Sequence, residues 1–277
     1  HRTFNTSRTF QFVLAFLAES TAQMGVMWWA SHHRKHHRHS DEPEDVHSPR
    51  QFGFWFSHVG WIFSRSRWVA DYSLVPDLAR YPEIRWIDKH YWVPPATLAL
   101  AVWLAAGWSG LVVGFLISTV IGYHATFTIN SLAHVMGRQR YVTGDDSRNS
   151  LLLALLTLGE GWHNNHHFFQ GSVRQGFRWW EIDPTYYVLR GLAALGIVWD
   201  LQEPPRHVVS GERRLSPRVV DKAARQLVGA LGESSPEGPS LEARARQMFP
   251  PTPSLDDIVA RAQEILASRA VSRQPAS

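Results

Sequence analysis

The chain has 277 residues, enough for one large domain or two small ones, with 44% hydrophobic residues and 13 tryptophans. It contains no cysteine, which excludes a disulfide framework, a thiolate metal site and a cysteine nucleophile. The net charge of +4 points to an anionic partner; basic residues flank apolar segments and no nucleic-acid-binding signature is present, so phospholipid or a phosphate-bearing substrate is favoured over nucleic acid.

Phe10 to Met27 is apolar but interrupted by Glu19 and Gln23, and reads as a helix lying in a membrane interface. Next comes "HHRKHHRHSD", His32 to Asp41, with five histidines in ten positions. His33, His36 and His37 stand at i, i+3 and i+4, which is one face of a helix. Crowded imidazoles repel one another when protonated, so the pattern makes sense if something binds the neutral rings. A metal does this.

From His90 to Gly137 the chain runs 48 residues without Asp, Glu, Lys or Arg. About 20 helical residues cross a bilayer core, so the stretch is long enough for two spans, with "GWSG", Gly107 to Gly110, as the turn. Two spans return the chain to the side it left, and the basic residues (Arg34, Lys35, Arg138 and Arg140 among them) crowd that side. The positive-inside rule makes it cytoplasmic. "NSLAH" closes the second span, with Asn130 and His134 one turn apart; polar groups at that depth mark functional sites.

Leu151 to Leu158 is too short to span and reads as a buried helix. "WHNNHHFF" then repeats the earlier spacing with His163, His166 and His167. Tyr186 to Trp199 carries Arg190 and reads as interfacial or packed on the domain. The composition changes near Arg206, which divides a membrane and catalytic domain, 1–206, from a soluble amphipathic helical tail, 207–277. In the tail, Ser216 is the expected N-cap of a helix with Pro217 at its first position, Gly232 as its stop and Val220, Ala223, Leu227 and Leu231 on one stripe. "ESSPEGPS" reads as a linker, and Ser254 with Asp257 as a capping box.

All-nitrogen ligand sets disfavour Mg and Ca and suit Fe, Zn, Cu or Ni. At least seven clustered histidines are enough for two metals. The His-Glu-x-x-His protease motif is absent. Glu-x-x-His occurs at Glu44–His47 and Glu160–His163, but Glu44 lies between Pro43 and Pro49, so no helix presents it as in soluble di-iron bundles. A histidine-rich, membrane-embedded di-iron centre fits better.

With "HHRKHHRHSD", "HSPRQFGFWFSHVGW", "NSLAH" and "GEGWHNNHH" in this order, the chain from about Arg2 to Leu201 resembles the membrane acyl-CoA desaturases of the stearoyl-CoA delta-9 type in their bacterial form. The resemblance implies an all-α fold, a helical membrane domain under a cytoplasmic histidine-rich cap in the bacterial inner membrane. It implies two irons, with dioxygen as co-substrate and two electrons from a donor such as cytochrome b5 or ferredoxin with its reductase. The reaction would place a cis double bond in a saturated acyl-CoA or another acyl carrier. The implied ligands are His1, His33, His36, His37, His134, His163, His166 and His167, with Asn130 reaching a metal through water. Trp29 and Thr126 match a pair that kinks the acyl chain, and Arg65 a basic residue near the CoA phosphates. Animal members have Arg-Asp where this chain has Ser31 and His32. Of the family's first box, His-x-x-x-x-His-Arg, only the second half is present, His1 being its second histidine. The expectation is therefore of four spans in the complete protein, two of them here. A related lipid hydroxylase would share these boxes, and a metal-binding fragment without activity is the alternative of another class.

Overall fold

The computed structural model describes residues 1–231 and 240–272. They are mostly helical, with one two-stranded ladder joining Asn5–Thr6 to Val198–Trp199.

Phe10 to Met27 is two helices, not the single interfacial one expected. The first, Arg8–Glu19, is capped by Ser7 Oγ, which accepts the Phe10 N–H at 3.2 Å. The chain then turns, with Ala22 and Met24 at φ of 59° and 68°. Buried Glu19 spans the turn and accepts the Val26 N–H at 2.9 Å. The second helix, Val26–His39, starts at Gly25, which has no capping side chain. Asp88 does that work from another helix, Pro82–Lys89, accepting the Met27 and Trp28 N–H groups at 2.8 and 3.1 Å. A Cβ at Gly25 would fall 2.1 Å from Asp88 Oδ1, so glycine is what lets the carboxylate approach. The first histidine cluster thus rides on a helix whose start is fixed by a distant carboxylate.

Val93 to His134 is the one described helical stretch long and apolar enough to cross a membrane, with mean hydropathy 2.0 and none of that window buried. It is not straight. Ala106 and Gly107 leave helical geometry (φ −139° and 60°), at the start of the stretch read as a turn. The chain folds back there. A Cβ on Gly110 would lie 2.6 Å from the Val102 carbonyl, and one on Gly114 2.9 Å from the Val102 side chain. Small residues on one limb therefore admit Val102 of the other. The second limb runs through Ser118–Asn130 into a tight turn, Leu132–His134, which delivers His134.

The buried helix expected at Leu151 to Leu158 is instead a short surface helix, Leu151–Leu156. Leu153 and Ala154 are buried, but Leu152 and Leu156 are 59% and 61% exposed. A segment apolar on every side gives no period from which to tell an inward face. The Pro184–Ala194 helix likewise exposes Tyr187 and Val188.

In the tail, Ser216 Oγ accepts the Val219 N–H at 3.4 Å at the head of the Pro217–Leu231 helix. The buried face is Ala223, Ala224, Leu227 and Val228, packed with Ala245 of the Leu241–Met248 helix and Ile258 and Ala262 of the Leu255–Ser272 helix. Burying Leu227 and Ile258 contributes about 1.5–3 kcal/mol each. Val142, from the segment between the two later histidine motifs, belongs to the same cluster. The capping box at Ser254 is not formed: its Oγ accepts the Leu215 N–H at 3.0 Å. The Gly232 stop and nearly all of the linker lie outside the described residues.

Candidate metal centre

Two histidine groups form where the Val26–His39 helix, the Leu132–His134 turn and the His163–Phe168 helix converge. His36, His134, His163 and His167 each offer a ring nitrogen within 4.8 Å of the others. His1, His33, His37 and His166 do the same. The groups adjoin, with the His37 and His167 ring centroids 4.5 Å apart. All eight histidines singled out from the sequence are therefore brought together. In each helix the i and i+4 histidines share one group, His33 with His37 and His163 with His167, while the i+3 member, His36 or His166, goes to the other.

Carboxylates set the ring tautomers in one group. His36 Nδ1 meets Asp45 at 2.8 Å, His134 Nδ1 meets Asp41 at 2.9 Å and His167 Nδ1 meets Asp145 at 2.7 Å. A carboxylate acceptor fixes the proton on Nδ1 and leaves the Nε2 lone pair free to ligate. The Nε2 atoms of His36 and His167 are buried with no hydrogen-bond partner. Burial alone would push the three carboxyls up, but the facing imidazoles outweigh it and hold Asp41, Asp45 and Asp145 below the usual range. These acids cross-link one another too. The Asp41 N–H donates to Asp45 and the Asp146 N–H to Asp41, both at 2.8 Å.

Among the described residues, no carboxylate belongs to the second group. Its nitrogens face each other, with Nε2 separations of 2.9 Å for His1–His33, 3.1 Å for His33–His37 and 2.9 Å for His37–His166. Burial and then neighbouring imidazoles hold His33 and His37 well below the ordinary histidine value and His166 at about 3. His163, in the first group, is depressed for the same reasons. His134 differs: burial would lower it, but Asp41 outweighs burial and raises it to about 9. Ring nitrogens facing inward, with the buried Nε2 atoms of His36 and His167 unpartnered, are a donor set suited to borderline transition metals, so the residues fit the two irons expected from sequence.

Asn164 and Asn165, between the histidines of the last motif, fix the helix from its other side. Asn164 Oδ1 accepts the Arg140 and Tyr141 N–H groups, each at 2.8 Å, and Asn165 Nδ2 donates to buried Glu181 at 3.0 Å. Arg140 completes the set through an ion pair with Glu181.

The remaining candidates fall elsewhere. Trp29 stacks on His33 with centroids 4.7 Å apart. Trp29, Thr126 and Asn130 line one cleft, walled by Trp28, Trp61, Tyr123 and Phe127 and reaching His33 and His47. Gln23 Nε2 donates to Thr126 Oγ1 at 3.3 Å. The Asn130 carbonyl accepts from Ser57 Oγ at 2.8 Å, and its side chain belongs to neither histidine group. Arg65 is exposed in the Arg65–Arg67 turn, its side chain without a hydrogen-bond or ion-pair partner among the described residues. Glu44, exposed, groups with half-buried His39 and Glu42, and Glu160 accepts from Gln175, so neither enters the centre.

Sequence reasoning passed over Asp41, Asp45 and Asp145, which hold the rings, and set His47 aside together with its Glu-x-x-His motif. His47 is buried, lies 4.5 Å from the His36 ring, has an unpartnered Nδ1, and is held at about 3, chiefly by burial. Asp41 and Asp45 were findable as acids that follow a histidine motif at helix-turn spacing. Asp145 carries no local signal.

Residues 1–200 match the family model described as fatty acid desaturase. The chain is 37% identical over 208 residues to an acyl-CoA 5-desaturase of Anemone leveillei, covering 74% of this chain and 64% of that protein. It is 37% identical over 207 residues to a chloroplastic palmitoyl-monogalactosyldiacylglycerol delta-7 desaturase of Arabidopsis thaliana, covering 74% and 56%. It is 37% identical over 203 residues to an sn-1 stearoyl-lipid 9-desaturase of Anabaena variabilis, covering 73% and 74%. The chain spans 56 to 66% of the length of the first three relatives. A match that takes in every histidine motif together with the helices that converge on them places the chain in the fatty acid desaturase family.

Proposed function

We propose that this chain carries the oxidising centre and part of the acyl pocket of a membrane acyl desaturase. The observation that carries the reading is the pair of adjoining four-histidine groups at the end of an apolar cleft. His36, His134, His163 and His167 would hold one iron, and His1, His33, His37 and His166 the other, with Asn130 acting through water. The bound irons supply the capacity to use dioxygen and two external electrons to take hydrogen from an unactivated methylene, which has no acidic proton or electrophilic carbon for side chains to exploit. The protein's own work is position and dryness. Trp28, Trp61 and Phe127 exclude water along the cleft, Trp29 and Thr126 set the bend of the chain, and Asp41, Asp45 and Asp145 hold three rings in the ligating tautomer.

The substrate is a saturated acyl chain on CoA or a glycerolipid, with cis delta-9 insertion. The relatives named for 5-, 7- and 9-desaturation support acyl desaturation as the class; the type of resemblance favours delta-9 and acyl-CoA. The two limbs of the Val93–His134 hairpin cross the inner membrane as two of four spans, the centre faces the cytoplasm, Arg65 lies near the headgroup phosphates, and ferredoxin or cytochrome b5 with its reductase delivers the electrons. Residues 1–206 form the catalytic domain and 207–277 an appended helical tail.

The test is expression of the gene, with its natural upstream sequence, in a desaturase-deficient host, followed by mass spectrometry of the acyl chains and iron analysis of the purified protein. About two irons per chain and a new monounsaturated product are expected. A protein that binds iron but returns only hydroxylated chains would replace desaturation by hydroxylation. One that binds none would end the reading.

A further inference from the structure

The tail lies outside the 1–200 family match, yet it touches the centre's supports from two sides. Lys222 Nζ, on the Pro217–Leu231 helix, donates to the Ser40 carbonyl at 3.2 Å and pairs with Glu42 at 3.5 Å. Arg218, one turn earlier, pairs with Glu42 at 3.4 Å. Ser40 and Glu42 flank Asp41, the carboxylate that holds His134. On the other side, Val142 is buried in the tail's own core. Gly144, at φ +76°, lies so close that an added Cβ would come within 2.7 Å of the Lys222 Cβ. Gly144 precedes Asp145, the carboxylate that holds His167. The two loops meet through the Asp146 N–H on Asp41.

We infer that the Pro217–Leu231 helix is a clamp on the carboxylate loops 40–45 and 142–147, with Lys222 and Gly144 as positioning residues that keep Asp41 and Asp145 aimed at His134 and His167. The inference rests on the metal reading of these histidines. It deepens that reading by making a segment beyond the family's match part of one iron site. It is also selective. The clamped carboxylates serve only the His36–His134–His163–His167 group, because among the described residues the His1–His33–His37–His166 group has none.

The test uses the full chain in detergent with Co(II) alone as the probe, followed by its visible absorption. A His166→Ala background leaves only the clamped group complete, and a His163→Ala background only the other. Outer-shell partners of metal ligands are worth roughly 10–100-fold in affinity. Lys222→Met, which keeps the stem and removes the ammonium, should weaken Co(II) at the clamped group by about 10-fold and leave the other group within about twofold. Gly144→Ala should do the same by pushing the helix away, and Lys222→Arg should restore affinity. In parallel, hydrogen exchange at the Asp41 and Asp146 amides should quicken in Lys222→Met without a change at the buried Ala223 or Leu227 amides. Equal loss at both groups, unchanged affinity in both variants, or unchanged exchange at Asp41 and Asp146 would each overturn the clamp. Absence of cobalt binding in the parent protein would overturn the metal reading instead, and the exchange measurement would still decide the clamp.

Discussion

The two histidine groups hold the same number of imidazoles and differ in what stands behind them. In His36–His134–His163–His167, three rings are backed by buried aspartates at 2.7 to 2.9 Å. In His1–His33–His37–His166 the rings are backed by aromatic contacts, as where Trp29 stacks on His33, and His1 is exposed. A carboxylate fixes tautomer and direction and raises ligand basicity, whereas a stacked ring fixes only the plane. The first group is preorganised. The second is shaped by its neighbours and stands next to the cleft that would hold the acyl chain.

The comparison is broken most severely by removing a ring. His167→Ala takes one of four nitrogens from the backed group, and metal at that group should fall by well over the roughly 100-fold ceiling seen for outer-shell changes. Iron content and product yield, measured together, should drop together. Retention of two irons with full activity would take His167 out of the centre.

Asp145→Asn is the sharper cut, since it keeps the shape and removes only the charge. Affinity at the backed group should fall roughly 10–100-fold, read by metal titration. Asp45→Asn should do the same through His36. If these variants weakened the unbacked group as much, the distinction between the groups would fail.

Acid probes the buried rings of both groups through stability. His166 and His47 are held near 3 in the folded protein against an ordinary value of 6.5, chiefly because they are buried. Below pH 6.5 the unfolded chain takes up protons that these folded rings refuse. The unfolded state therefore binds more protons in this window, and stability of the metal-free protein falls as pH drops from 6.5 towards 3. The depressed aspartates add their own loss only below about 3.8, through the folded carboxyls' reluctance to protonate. Thermal unfolding from pH 8 to pH 4 should show the decline, and His166→Gln should flatten it. A profile unchanged by that substitution would mean that His166 takes up protons freely in the fold.

Much of the centre was legible because its chemistry is local. The i, i+3, i+4 spacing named His33, His36 and His37 and then His163, His166 and His167 before any fold was known, and the charge-free stretch located the hairpin that brings His134 to them. What was not legible depends on distant chain. Asp145 has no neighbour in sequence to announce it, and it matters only because its loop reaches His167. Asp88 caps a helix some sixty residues upstream. The Phe10–Met27 stretch looked continuous because its apolar character is continuous; the break comes from Glu19 turning back to Val26. At Leu151–Leu156 the fault lay in the pattern itself, since a helix with no polar side gives composition no way to say which side faces in.

The mildest expected effect tests the unbacked group directly. If stacking is what orients His33, Trp29→Ala should release the ring without touching any nitrogen. Aromatic contacts of this kind contribute about 0.5–1.5 kcal/mol, so metal affinity at this group should fall by only about 2- to 10-fold, less than the loss from Asp145→Asn in the other. Trp29→Phe keeps a ring face and should recover most of it. Trp29 also lines the cleft with Thr126, so the same substitution should shift which acyl chain lengths are converted, even under saturating iron. The two consequences come apart by experiment. Thr126→Val, which changes the cleft but not the stack, should move the product distribution and leave metal affinity alone. Were Trp29→Ala to cost as much metal affinity as Asp145→Asn, stacking and carboxylate backing would be equivalent supports, and the contrast between the two groups would lose its physical basis.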